Sequence, residues 1–130
     1  MVRNIPFTLL RIRFIISLWN PHGKERRKMV KHVILWTFKD QYSGAQMEEL
    51  KKDIKAGLEG LQGQIPGLLQ ISVITDPLPS SNCDLMLDSS FESEEALKGY
   101  AVHPAHVAVA DEKVRPFMAS RVCMDYENGN

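Results

Sequence analysis

The chain has 130 residues, enough for one domain around a single modest core, and its 44% hydrophobic and 25% charged residues are those of an ordinary globular protein. A net charge of zero hides an asymmetry: residues 1–28 hold seven Lys/Arg against the single acid Glu25, and the rest holds nine against fifteen Asp/Glu, a net of −6 that argues against a nucleic-acid partner. Cys83 and Cys123 lack CxxC spacing, which predicts a reducing, cytoplasmic setting and no zinc site of that type.

Leu9–Trp19 is apolar but interrupted by Arg11 and Arg13. It is too short to span a bilayer and lacks the uninterrupted apolar centre of a secretory signal, so no membrane partner is expected, although its mix of Arg and large apolar residues is compatible with a surface anchor. Gly23-Lys24-Glu25-Arg26-Arg27-Lys28 can be written in almost pure purine codons just before Met29, as a translated ribosome-binding site would be. The expectation is that Met29 is the working start, that residues 1–28 lie outside the domain, and that the domain runs over 29–127.

Lys31–Phe38 is β-branched and aromatic and reads as a strand buried on both faces, with His32, Ile34, Trp36 and Phe38 on one side and Val33 and Leu35 on the other. Ser43-Gly44-Ala45-Gln46 matches a capping box. Met47, Leu50, Ile54, Leu58 and Leu61 then recur at helical spacing, weakened by Gly57 and Gly60 and stopped at Gly63. Ile65-Pro66-Gly67 turns into a second strand, Leu68–Thr75, with Leu69, Ile71 and Val73 on one face. Asp76–Asn82 is loop, and Cys83–Phe91 a third strand. Ser93 caps a short helix, Glu94–Tyr100, and Pro104 opens another that runs to about Arg115. Ser120–Tyr126 alternates as the last strand, and the remaining residues fray.

Tyr100-Ala101-Val102-His103-Pro104-Ala105-His106 places a phenol and two imidazoles within seven residues, around a proline. His106 falls in the first turn after Pro104, where the helix dipole disfavours imidazolium and favours the neutral base. A phenol held beside it can orient a substrate oxygen while the imidazole takes a proton. His-Pro is equally an ordinary helix start, so the motif also reads as a cap.

The element order β-α-β-β-α-β predicts an α+β, ferredoxin-like sandwich: a four-stranded antiparallel sheet with strand order 4-1-3-2 and helices on one face. The other face would expose Val33, Leu35 and their neighbours unless a second subunit covers it. In that order Cys83 and Cys123 lie about two strand spacings apart, ~9.5 Å, too far for a disulfide.

From Met29 to Tyr126 the chain resembles the stress-responsive A/B barrel (Dabb) family. The resemblance rests on Val30-Lys31-His32-Val33, Ile65-Pro66-Gly67, Phe91 with Ser93, the Y-x-x-H-P-x-H segment and Asp125-Tyr126. It implies a homodimer with two sheets facing each other as a dimeric α+β barrel, each subunit keeping a small cavity between sheet and helices. A plant branch of the family closes polyketide chains without metal or cofactor, using a tyrosine and a histidine. By position these are Tyr100 and His106, the implied catalytic pair, with His32 lining the same cavity. Ile34, Trp36 and Ile54 would shape the pocket, and His103 is counted among its substrate-binding residues. Ile54 replaces an aromatic of the plant cyclases, and Trp36 adds bulk. The resulting expectation is a homodimeric domain that binds a small apolar or aromatic carbonyl compound, with a cofactor-independent cyclase-like enzyme as the alternative. A metal site from His32, His103 and His106 is not expected, because a helix begins between the last two and the sequence places no acid beside them.

Overall fold

The first strand, β1 (Met29–Phe38), sorts its side chains by the two-residue period of a pleated strand: Val30, His32, Ile34, Trp36 and Phe38 are buried, and the residues between them are partly or fully exposed. The computed structural model describes residues 28–129, so the expectation of a start at Met29 concerns residues that lie, Lys28 apart, outside the described part. After β1 come α1 (Gly44–Glu59), β2 (Leu68–Ile74), β3 (Leu85–Phe91), α2 (Glu94–Val102), α3 (Pro104–Val109), a π-helical turn (Ala110–Val114), a 3-10 turn (Arg115–Phe117) and β4 (Met118–Asn128). The strands form one antiparallel sheet in the order β2-β3-β1-β4, the ferredoxin-like arrangement.

The helices cover one face. Ile54, Leu58 and Leu61 from the α1 region meet Ile34, Trp36, Val73, Leu85, Leu87 and Phe91 from the sheet, and Tyr100 closes this core from α2. The edge strand β2 is shielded by α1, since Glu59 Oε2 accepts from Val73 N at 2.9 Å and Lys55 Nζ donates to Val73 O at 2.8 Å. The opposite face stays open in the single chain. Leu35, Ile74, Val122, Met124 and Tyr126 are all exposed, around a Lys31–Asp88 ion pair of 2.6 Å. β1 is therefore buried on one face only, not on both.

Several local expectations change. The Ser43 side chain forms no capping bond, because Gly44 at φ 57° departs from the regular first turn that a capping box needs. α1 ends at Glu59 with Gly60 as its cap, ahead of Gly63. A register shift between Leu68 and Gln70 turns Leu68 inward and leaves Leu69 exposed, so only Ile71 and Val73 of the expected face are buried. Cys83 precedes β3, and both cysteines are free thiols. Beyond Val109 the expected α-helix widens into the π turn, and Pro116 lies in the 3-10 turn that ends the run.

The Ile-Pro-Gly turn positions α2. Gly67 sits at φ 82°, a Cβ placed on it would fall 2.4 Å from Ala96 Cβ, and its carbonyl accepts from Glu92 N at 2.9 Å. Gly67→Ala should therefore lower stability by about 1–3 kcal/mol, through left-handed strain and the collision with α2. Urea midpoints check this: Ala96→Gly in the same chain should restore part of the loss, by relieving the collision and not the strain.

Candidate functional site

α2 ends one residue before His103, whose extended backbone at ψ 132° is what a following proline favours. His103 caps α3: its Nδ1 accepts from Ala105 N at 3.1 Å, and Pro104 occupies the first helical turn. The bend brings Tyr100, from the last turn of α2, against His106 of α3. Their rings lie 4.1 Å apart between centroids, tilted by 33°. Tyr100 also stands edge-on to Phe91 at 4.9 Å and to His32 at 6.0 Å, so the phenol is held in an aromatic nest between helix and sheet.

These groups face a cavity of about 140 Å³, close to the ~150 Å³ that accommodates a benzene ring. His32, Ile34, Trp36 and Leu87 line it from the sheet, and Leu58, Tyr100 and His106 from the helices. Two sequence-predicted lining residues lie elsewhere. Ile54 is fully buried in the core under α1 and does not reach the cavity wall. His103 has its Nδ1 engaged in the cap and lines a separate shallow groove beside Gly67.

The polar groups differ in state. Burial pushes the Tyr100 hydroxyl up to about 12, against the opposing pull of Arg121, so it is a protonated donor at neutral pH. Tyr100 Oη is buried and has no hydrogen-bond partner among the described residues. Burial also lowers His106 from its usual value, helped by the Arg115, His32 and Arg121 charges and resisted by a hydrogen bond to Ala101 O. His106 is thus neutral as expected, but desolvation and not the helix dipole is the leading cause. Because a carbonyl only accepts, the 3.3 Å contact with Ala101 O places the His106 proton on Nδ1 and leaves Nε2 as the basic nitrogen.

Asp125, Cys123, Arg121 and Arg115 are the site residues that sequence reasoning missed. Strand register pairs His32 with Asp125, Ile34 with Cys123 and Trp36 with Arg121, which brings all three β4 side chains to the helix side of the sheet. Asp125 Oδ1 accepts from His32 Nδ1 at 2.5 Å, and Cys123 Sγ lies 3.5 Å from the same oxygen. Arg121 and Arg115 both border the cavity, and Arg115 is paired with Asp111.

The profile of the stress responsive A/B barrel domain matches residues 30–128. The chain belongs to the stress-responsive A/B barrel family. Olivetolic acid cyclase of Cannabis sativa is 31% identical over 100 residues, which cover 75% of this chain and 94% of that protein. The stress-response A/B barrel domain-containing protein HS1 of Arabidopsis thaliana is 34% identical over 87 residues, covering 67% of this chain and 79% of that one. Among solved structures, a dimeric protein of ferredoxin-like fold and unknown function from Bacteroides fragilis superposes with a TM-score of 0.71 at 30% identity, covering 76% of this chain and 95% of its own.

For this A/B barrel protein, neutral His106 predicts a pH dependence of stability. With its pKa lowered in the folded chain, the unfolded chain takes up the proton first as pH falls below 6.5. The stabilisation is fully present above 6.5 and is lost as pH drops through the lower folded value. Urea midpoints at pH 7.5 and 5.5 should show an acid loss that is smaller in His106→Gln; an equal loss in both chains contradicts this assignment.

Proposed function

We propose that this A/B barrel protein is a homodimer whose cavity binds a small aromatic or apolar carbonyl compound, and that Tyr100 and His106 act on it as a cofactor-independent acid–base pair. The observation that carries the reading is the buried Tyr100 hydroxyl, without a partner among the described residues, beside a neutral imidazole. A buried donor left without a partner costs about 1–3 kcal/mol, and a ligand carbonyl oxygen reaching Tyr100 Oη recovers it. The apolar walls from Ile34, Trp36, Leu58 and Leu87 suit a ring or a short alkyl segment.

The chemistry follows from the two protonation states. His106 Nε2 removes a proton from the carbon next to the carbonyl, and the electron pair moves onto the oxygen. Tyr100 donates a hydrogen bond to the resulting enolate without giving up its own proton, as its high pKa requires. The enolate carbon then attacks a second carbonyl of the same chain, closing a ring, and the imidazolium returns its proton to the new alkoxide. His32, turned by Asp125, borders the same cavity and orients the substrate. The likeness to olivetolic acid cyclase supports ring closure over simple ligand storage.

Linear β-polyketo thioesters, with ring products followed by chromatography, test the proposal. His106→Ala should reduce turnover about 10²–10⁴-fold and Tyr100→Phe about 10²–10³-fold, with the fold intact by circular dichroism. A ligand that binds equally to wild type and His106→Ala, with no turnover by either, leaves a binding domain in place of an enzyme.

The exposed apolar sheet face supports the dimer. Val122 is 62% and Met124 66% exposed on the same face as Leu35 and Ile74, and an exposed apolar face of this kind marks an interaction surface. Light scattering should give twice the chain mass for wild type, and Met124→Glu should shift it to the monomer by burying an unpaired charge in the contact.

A further inference from the structure

Beside the cavity, on the outer part of the helix-side surface, three potential ligand atoms from two neighbouring strands converge. His32 Nδ1, Cys123 Sγ and Asp125 Oδ1 all lie within 4.8 Å of one another. We propose that His32, Cys123 and Asp125 form a binding site for a divalent transition-metal ion of the zinc class. The site is separate from the Tyr100–His106 pair and shares only the His32 ring with the cavity.

An ion bound tetrahedrally at ~2.0–2.3 Å from nitrogen, oxygen and sulfur spaces those donors roughly 3.3–3.7 Å apart. The sulfur already stands 3.5 Å from the carboxylate oxygen and 3.8 Å from the imidazole nitrogen. Only the 2.5 Å hydrogen bond between His32 and Asp125 has to open. Rotation of Asp125 provides this, since its side chain is 45% exposed and bonded to nothing but this cluster among the described residues. The His32 ring is the rigid anchor, buried edge-on to Phe91 and Tyr100. An ion on Nδ1 takes the place of the hydrogen bond to Asp125, and the neutral ring then carries its single proton on Nε2.

The donor set selects the ion. One thiolate, one imidazole and one carboxylate suit Zn²⁺, Co²⁺ or Ni²⁺, and exclude Mg²⁺ and Ca²⁺, which take oxygen ligands. Three protein ligands leave a fourth position free, and here it opens into a groove of about 770 Å³. Glu94, Asp125 and Glu127 outnumber Lys98 and Arg121 along that groove, and ionisation of the thiol adds one more negative charge. A thiol must give up its proton to ligate such an ion, so binding at Cys123 releases a proton. Val122 and Met124 alternate with these ligands and are exposed on the opposite face of the sheet.

Titration of the reduced full-length protein with Co²⁺, followed by Zn²⁺ competition, tests this. The expected result is one four-coordinate ion per chain, with a thiolate-to-cobalt charge-transfer band that Zn²⁺ removes. Cys123→Ser should abolish that band, and Asp125→Asn should weaken Zn²⁺ binding at least 10-fold, whereas Cys83→Ser leaves both unchanged. Both ligand positions are exposed, and circular dichroism verifies that the variants fold. A cobalt spectrum without the thiolate band, or one unchanged in Cys123→Ser, overturns the proposal. Cyclisation activity is not read in this experiment, so its outcome is independent of the function proposed above.

Discussion

The break between α2 and α3 is the constraint on which the site depends. Pro104 has no amide hydrogen to continue the ladder of α2, and its ring pushes His103 into extended backbone. Without that bend, Tyr100 and His106 would be six positions apart on one helix, more than a turn and a half along its axis. With it, their rings meet at 4.1 Å. The cap supplied by His103 Nδ1 stabilises the turn and removes that histidine from the cavity in the same act.

The sheet below is built to be used on both sides. Its helix face combines an apolar core with a polar margin along β4, where every residue after Met118 is exposed. Its opposite face is apolar and open, which fits the dimeric state of the Bacteroides fragilis relative. One strand thus provides an apolar face to the outside of the sheet and a row of Arg121, Cys123 and Asp125 to the inside. A one-residue change in β4 register would exchange the two rows, so the pairing of β1 with β4 decides which side chains each face of the sheet carries.

The fold was legible because its signals are local and repeated. Alternation in β1, the Ile54 and Leu58 stripe of α1, Ser93 as a cap and Pro104 as a helix start all appear where the residues themselves put them. Strict alternation places Leu69 inward, and the register shift that turns it outward is invisible to that pattern. The π turn at Ala110–Val114 likewise has no clear mark in the residues that form it. By position Ile54 belongs to the cavity, but an apolar residue on the inner face of α1 can equally fill the core, and depth alone separates the two. Asp125 was missed although strand order and alternation together point to His32; the two are 93 residues apart, and the alignment of two strands has to be known before they can be paired.

Sequence alone determined the helix break, the alternation of inner and outer residues in β1, and the set of chemical groups available near Tyr100, because these depend on neighbours within a few residues along the chain. Only the tertiary structure decided which groups meet, that the phenol has no partner among the described residues, and that burial is the leading reason His106 is neutral. Protonation follows burial and the charges from distant elements, Arg115, His32 and Arg121, and those are assembled only when β4 pairs with β1 and the helices close over the sheet.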